Sequence, residues 1–308
     1  MTPRALVLSY SQTGQTRAAA KALVEPLSSK GWTVDWRTLE TEDPYPFPWD
    51  MRTFLDAFPE TVVGRPPRLR PLRLEHDQPP DLVVLASQVW YLAPSLPVQA
   101  FLESADRSIL QGRPVIAVVT CRNMWYAAVL RLEEKLKAAG AEAFGTIVLT
   151  DKSPRWTTFV MTPRLFLTGR RNGLLGIVPA PGIAAGELTR TARIGEMLAA
   201  RLTPVNSGAS PVPATEVVAE NLVLDSFASR AFPLFARSIL ALQRLGGPRA
   251  RMGALWMFAA CLVLGVIASL PLLGLGRVLL GGRMRAAAER YERVLETGRP
   301  AAAATRRS

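Results

Sequence analysis

Histidine is almost missing from this sequence, with His76 the only one. His-rich metal sites are thereby excluded, a conventional Ser–His–Asp triad is left one candidate, and no metal is expected. Cysteine is nearly as scarce. Cys121 and Cys261 lie far apart and give neither a disulfide framework nor a metal-ligand spacing, which fits a reducing compartment. At the N-terminus the apolar run Ala5-Leu6-Val7-Leu8 is too short for the core of a signal peptide, so folding is expected to begin in the cytoplasm. Charge is missing altogether from residues 252–276, a gap of 25 positions.

What is present begins with alternation. Apolar runs at 5–9, 33–37, 82–86, 115–120 and 145–150 read as strands, and those at 82–85 and 115–119 lack the period-two pattern of a half-exposed strand. Helical patterns at 16–29, 95–104 and 125–139 fall between them, and another at 187–202 follows. Alternation of this kind predicts an α/β fold with a doubly wound parallel sheet over residues 1–202. Residues 41–80 interrupt the rhythm with nine prolines and five aromatics, Tyr45, Phe47, Trp49, Phe54 and Phe58. Such a stretch cannot run as a central strand or helix and predicts an ordered cover with a short helix near 51–58.

The first strand leads into Ser11-Gln12-Thr13-Gly14-Gln15-Thr16, and a helix-forming run follows. Hydroxyls, a glycine and a helix N-terminus in this order suit one phosphate, through converging backbone N–H groups and the helix dipole. An ordinary polar turn would use the same residues. The loop is neither a Gly-Lys-Ser/Thr phosphate loop nor a GxGxxG dinucleotide fingerprint. Ser11-x-Thr13-Gly14-x-Thr16 after an N-terminal strand resembles the phosphate loop of flavodoxin-like proteins, over roughly residues 4–200. That resemblance implies FMN as cofactor, with its ring between the loops that follow the third and fourth long strands. These loops read Gln88-Val89-Trp90-Tyr91 and Cys121-Arg122-Asn123-Met124-Trp125. Trp90, Tyr91 and Trp125 would stack on the ring, and amides near Gln88 and Asn123 would meet its polar edge. Core packing is the competing reading for each aromatic.

The segments "PYPFPW" (44–49), "AFPE" (57–60), "QVWYLAPSLP" (88–97), "CRNMW" (121–125) and "TPRLFLTGRR" (162–171) resemble the flavodoxin-like proteins of dialkylresorcinol biosynthesis. Those are described as condensing enzymes or aromatases, and the resemblance implies dehydrogenation of an alkylated cyclohexanedione. Catalytic candidates are His76, Asp151 and an ionised Tyr91 as bases, with Arg122 as electrostatic stabiliser. A separate nicotinamide motif is absent, although NAD(P)H as electron donor is compatible with the class.

Residues 203–215 read as a linker, and 216–290 as amphipathic and hydrophobic helix that associates with membrane. Residues 291–308 read as a basic, flexible tail. Residues 244–308 hold 11 Arg against 3 acidic residues, a large part of the overall net charge of +12. Basic charge beside the most apolar segment favours an anionic membrane surface, contacted through 252–285, over nucleic acid. Arginines flank the uncharged stretch on both sides, so the positive-inside rule does not choose between a span and a re-entrant hairpin. These readings predict a cytoplasmic domain on the inner face of the membrane. Its functional candidates are an FMN oxidoreductase for an apolar or lipid-like substrate, a flavodoxin-type electron carrier, an NAD(P)H:quinone reductase and a non-catalytic scaffold.

Overall fold

A computed structural model describes residues 2–74, 79–151, 164, 165, 167–170, 182–200, 212 and 215–297. The strands are β1 (Arg4–Ser9), β2 (Thr33–Thr38), β3 (Leu82–Trp90), β4 (Ala93–Pro94), β5 (Pro114–Cys121) and β6 (Glu142–Thr150). They form one sheet in the order β2-β1-β3-β5-β6, all parallel, with the two-residue β4 antiparallel to the end of β3. This is the flavodoxin-like doubly wound order. It reverses direction between β1 and β3, so the loops after these strands diverge and leave a crevice at their carboxyl ends.

Helices cover both faces. Ala5, Val7, Val84 and Ile116 point to one side, where α1 (Gln15–Ser29) and α5 (Ala185–Ala200) supply Ala20, Leu23, Ile194 and Leu198. Leu6, Leu8, Leu85 and Val119 point to the other, against Phe101 of α3 (Leu96–Glu103) and Val129 and Leu132 of α4 (Tyr126–Ala138). Burial on both faces is why the runs at β3 and β5 show no alternation. α1 and α5 approach so closely that a Cβ on Gly195 would stand 2.1 Å from the Leu23 carbonyl oxygen.

The insertion packs Tyr45 and Trp49 against Trp90 and contributes none of the described residues that line the cleft. Asp50 caps α2 (Met51–Val63) by accepting the Thr53 N–H at 2.8 Å, and Gly64 closes it at φ 72°. α2 runs past the expected end at residue 58 because Pro59 is buried inside it and the helix continues around the missing N–H.

The C-terminal region is a helical hairpin. Helix α6 (Ala219–Thr297) breaks at Gly247, whose φ of 67° and ψ of −160° are non-helical, just before Pro248. Arm 219–246 and arm 248–297 then run antiparallel. Arg251 donates to Gln243 at 2.7 Å, Phe258 meets Phe232 and Phe235, and Arg277 lies 3.8 Å from Glu220. The stretch Ala219–Ser269 is long and apolar enough to cross a membrane by length and composition. Two boundaries differ from expectation. Residues 291–297 continue the helix instead of starting a tail: Tyr291 donates to the Tyr126 carbonyl at 2.7 Å, and Glu292 accepts the Val217 N–H. Within the expected linker Val212 is buried against the α1/α5 side of the sheet, and 201–211, 213 and 214 lie outside the described residues.

Candidate functional site

The loop after β1 is built like an anion cradle. Gly14 stands at the start of α1 with φ 79°, a conformation that costs glycine little. Gly14 offers no side-chain cap and no acidic residue occupies the first turn, so the positive end of the helix dipole has no anion of its own. Nothing within 4 Å would meet a Cβ on Gly14, so there is room for a ligand atom to approach. Ser11 Oγ accepts the Arg17 N–H at 3.3 Å, and the hydroxyls of Thr16 and Thr120 are hydrogen-bonded to each other at 2.7 Å. Gln12 accepts from the Gln88 amide at 3.0 Å, joining the first loop to the end of β3. This donor set and shape fit a single phosphate.

Above the carboxyl ends of β1, β3, β5 and β6 lies a cleft of about 840 Å³. Thr13 and Gln15 border it in the loop after β1, Gln88 through Tyr91 at the end of β3, and Cys121 through Asn123 at the end of β5. The structure thus brings the three predicted loops to one cavity. Tyr91 and Leu92 both have positive φ, 47° and 61°. The turn is held by the Tyr91 hydroxyl, which donates to the Phe54 carbonyl, and by ring contacts to Phe54 and Phe58. Strain in non-glycine residues is a frequent mark of functional loops.

Several predicted roles are corrected. Trp125 does not reach the cleft. It is 1% exposed, stacked on Tyr126 at 4.2 Å and edge-on to Tyr291, so it belongs to the core under the hairpin. Trp90 borders the cleft but is boxed in by Tyr10, Tyr45 and Trp49 at 4.9–5.6 Å, which makes it a wall more than a free stacking plate. Burial raises the Tyr91 phenol well above its ordinary range, and its proton is already given to Phe54, so it is no base. Burial also pushes the Cys121 thiol up to about 12, and Sγ donates to the Met124 carbonyl at 3.0 Å. His76 lies outside the described residues.

Arg122 and Asp151 form an ion pair at 2.8 Å on the cleft wall. Among the described lining residues they are the only charged ones. Burial lowers the Arg122 pKa and Asp151 opposes that shift. Asp151 also accepts the Gly182 N–H at 3.0 Å, and a Cβ on Gly182 would stand 2.9 Å from Gln15 Nε2. The pair therefore ties the ends of β5 and β6 together, and Asp151 holds Gly182 beside Gln15.

Half of the cavity wall escaped the sequence reading. Phe227 and Phe232 of the first arm, and Phe258, Leu262 and Val266 of the second, roof the cleft with apolar side chains. Their helical spacing was visible, but the return of the hairpin onto the sheet was not.

No family model matches this chain, and no curated protein does. Among solved structures it is similar to a flavodoxin from the domain Archaea, with 16% identity and a TM-score of 0.37 over 64% of this chain and 97% of that one. It is similar also to a flavoprotein in complex with FMN from Lactobacillus acidophilus NCFM, with 18% identity and a TM-score of 0.38 over 48% and 93%. A WrbA-like flavodoxin from Agrobacterium tumefaciens has 9% identity and a TM-score of 0.37 over 65% and 96%. The fold assignment itself comes from strand order and register in this chain: the domain is flavodoxin-like.

Proposed function

We propose that this chain is an FMN-dependent oxidoreductase for an apolar, lipid-like substrate, working on the cytoplasmic face of a membrane. The observation that carries the reading is the cleft of about 840 Å³ with an anion cradle and ion pair at its floor and an apolar roof. When bound, FMN supplies hydride or electron transfer at its ring, and the protein supplies position and field. The 11–16 loop and the α1 N-terminus would hold the phosphate, with Thr13, Gly14 and Gln15 nearest. Gln88, Val89, Trp90, Tyr91 and Asn123 would frame the ring. Arg122 would put a guanidinium beside it, where positive charge would favour an enolate or a reduced, anionic ring. The apolar roof excludes water, which strengthens that interaction.

The resemblance to dialkylresorcinol proteins gives the reaction to test first, the dehydrogenation of an alkylated cyclohexanedione followed by enolisation to the aromatic ring. Such a substrate must lose a hydride and an activated α-proton. Tyr91 and Cys121 hold their protons, so Asp151 is the one described carboxylate on the cleft wall placed to accept it, with Arg122 steadying the enolate.

The test is anaerobic mixing of FMN-loaded protein with a cyclohexanedione bearing alkyl chains, followed by flavin absorbance and product mass. Bleaching with formation of the resorcinol is expected, and Arg122→Gln should slow it by about 10²-fold. Bleaching by reduced quinones but not by the dione would move the reaction to quinone chemistry. Electron exchange with small redox proteins alone would make the chain a carrier and overturn the oxidoreductase reading.

A further inference from the structure

We infer that the α6 hairpin seats in the plane of one anionic membrane leaflet, not across the bilayer, and that the cleft opens into that leaflet. The second arm carries an outward stripe of Trp256, Val263, Leu264, Ile267 and Val278, each at least half exposed. At 100° per residue these positions fall within about 100° of one another, on one helix face. Seven residues beyond either end of that stripe, on the same face, stand Arg249 and Arg285, both exposed. The first arm repeats the arrangement, with Phe227, Leu234 and Leu245 exposed beside a row of exposed Arg230, Arg237 and Arg244. An apolar face of this extent is not left to water in a soluble monomer. Arginines along its borders let the guanidinium groups reach lipid phosphates while the stems stay apolar, which selects an anionic leaflet as the occupant.

A span is opposed by what holds the hairpin. Arg251, one residue before the uncharged stretch, is 8% exposed and donates to Asp56 at 2.6 Å and to both Glu60 oxygens at 2.9 and 2.8 Å. Phe258 stacks on Phe58 at 3.7 Å, and Leu255 is fully buried beside them. A helix crossing the bilayer along residues 252–276 would have to strip these side chains from α2. Lying in the interface, it keeps them and still buries the outward stripe.

The mouth follows from exposure within the cleft lining. Sheet-side lining residues are buried, as Gln88, Trp90, Thr120 and Asp151, or half-buried, as Val89, Arg122 and Asn123, whereas Phe227 is 74% exposed and Cys261 and Ala268 are exposed. Among the described residues the accessible rim therefore belongs to the two arms that carry the lipid-facing stripes. That the incoming molecule is a substrate rests on the proposed function. Membrane seating does not.

The test uses the full chain, freed of detergent and mixed with phosphatidylcholine vesicles with and without phosphatidylserine. Flotation with the anionic vesicles is expected, reduced roughly tenfold or more by Leu264→Glu/Ile267→Glu, residues outside the cleft lining. FMN content, measured on the same samples, should stay unchanged in that variant, which separates failure of membrane seating from failure of the flavin reading. In a Trp256→Phe background, brominated lipid should quench the added emission of the rim indole introduced by Phe227→Trp. A floating protein whose rim indole is not quenched would overturn the position of the mouth. In a Cys261→Ala background, an impermeant maleimide should label Arg249→Cys and Arg285→Cys equally, whereas labelling of only one would demonstrate a span. Failure to float, with a discrete oligomer in solution, would mean that a second copy covers the stripe.

Discussion

The sheet and the hairpin dispose of apolar surface in opposite ways. In the sheet domain Val7, Leu8, Val84, Leu85, Ile116 and Val118 are completely covered by helices of the same domain. In the hairpin Phe227, Leu234, Val263, Leu264 and Ile267 are 57–74% exposed. The first region closes its own core. The second completes the roof of the cleft with one face and leaves apolar side chains exposed on the other. The two are joined by the Arg251 cluster, by packing of Phe232, Leu255 and Phe258 on Phe58, by Leu222 and Ala288 in the core on the α4 side, and by the contacts of Asp225 and Tyr291 with the start of α4.

That comparison predicts changes that damage one region and spare the other. Gly195→Val should have the largest effect, about 3 kcal/mol of domain stability, because its Cβ meets a backbone carbonyl that cannot yield. Thermal unfolding of the sheet would record it, and loss of less than about 1 kcal/mol would mean that α5 can shift away from α1. Next is Arg251→Ala. Breaking a fully buried pair costs about 3–5 kcal/mol, but Asp56 is half exposed, so about 2 kcal/mol is expected for docking of the hairpin on α2. Hydrogen exchange should then rise in residues 248–262 and in α2 while β1, β3 and β5 stay protected.

The smallest effect is a titration. Asp225 of the first arm is 1% exposed and accepts the N–H groups of Tyr126 and Ala127 at 3.1 and 3.0 Å, an N-cap for α4 supplied from far along the chain. Burial pushes its carboxyl up to about 6, with the two N–H groups and Arg131 opposing the shift. A folded-state pKa above the unfolded value means that the native state holds more protons in this window. Stability therefore falls as pH rises between about 4 and about 6 and is level above that. Raising the pH from about 5 to about 6.5 should cost about 1 kcal/mol, and Asp225→Asn should flatten that slope. An unchanged slope in the variant would assign the pH dependence to other groups.

Much of the sheet was legible because strands covered on both faces are written as unbroken apolar runs, and the turn at 11–14 because its hydroxyls and glycine sit between a strand and a helix. Site aromatics were less legible. A tryptophan after a strand is compatible equally with stacking on a ring and with the core, and only the return of Tyr291 onto Trp125 decides between them. The roof of the cleft was hidden for a related reason. An apolar helix carries no mark of which face meets its own domain, and the buried Arg251 that sets the orientation reads in sequence as one more basic residue in a basic region.

The central claim, that the crevice at the sheet's carboxyl end holds FMN by its phosphate loop, is tested most directly by titrating the purified chain with FMN and following flavin fluorescence. One FMN per chain is predicted, with binding lost in Gly14→Asp, where an acidic side chain at φ 79° would occupy the phosphate position. Undiminished binding in Gly14→Asp, or no binding by the native sequence, would contradict the account.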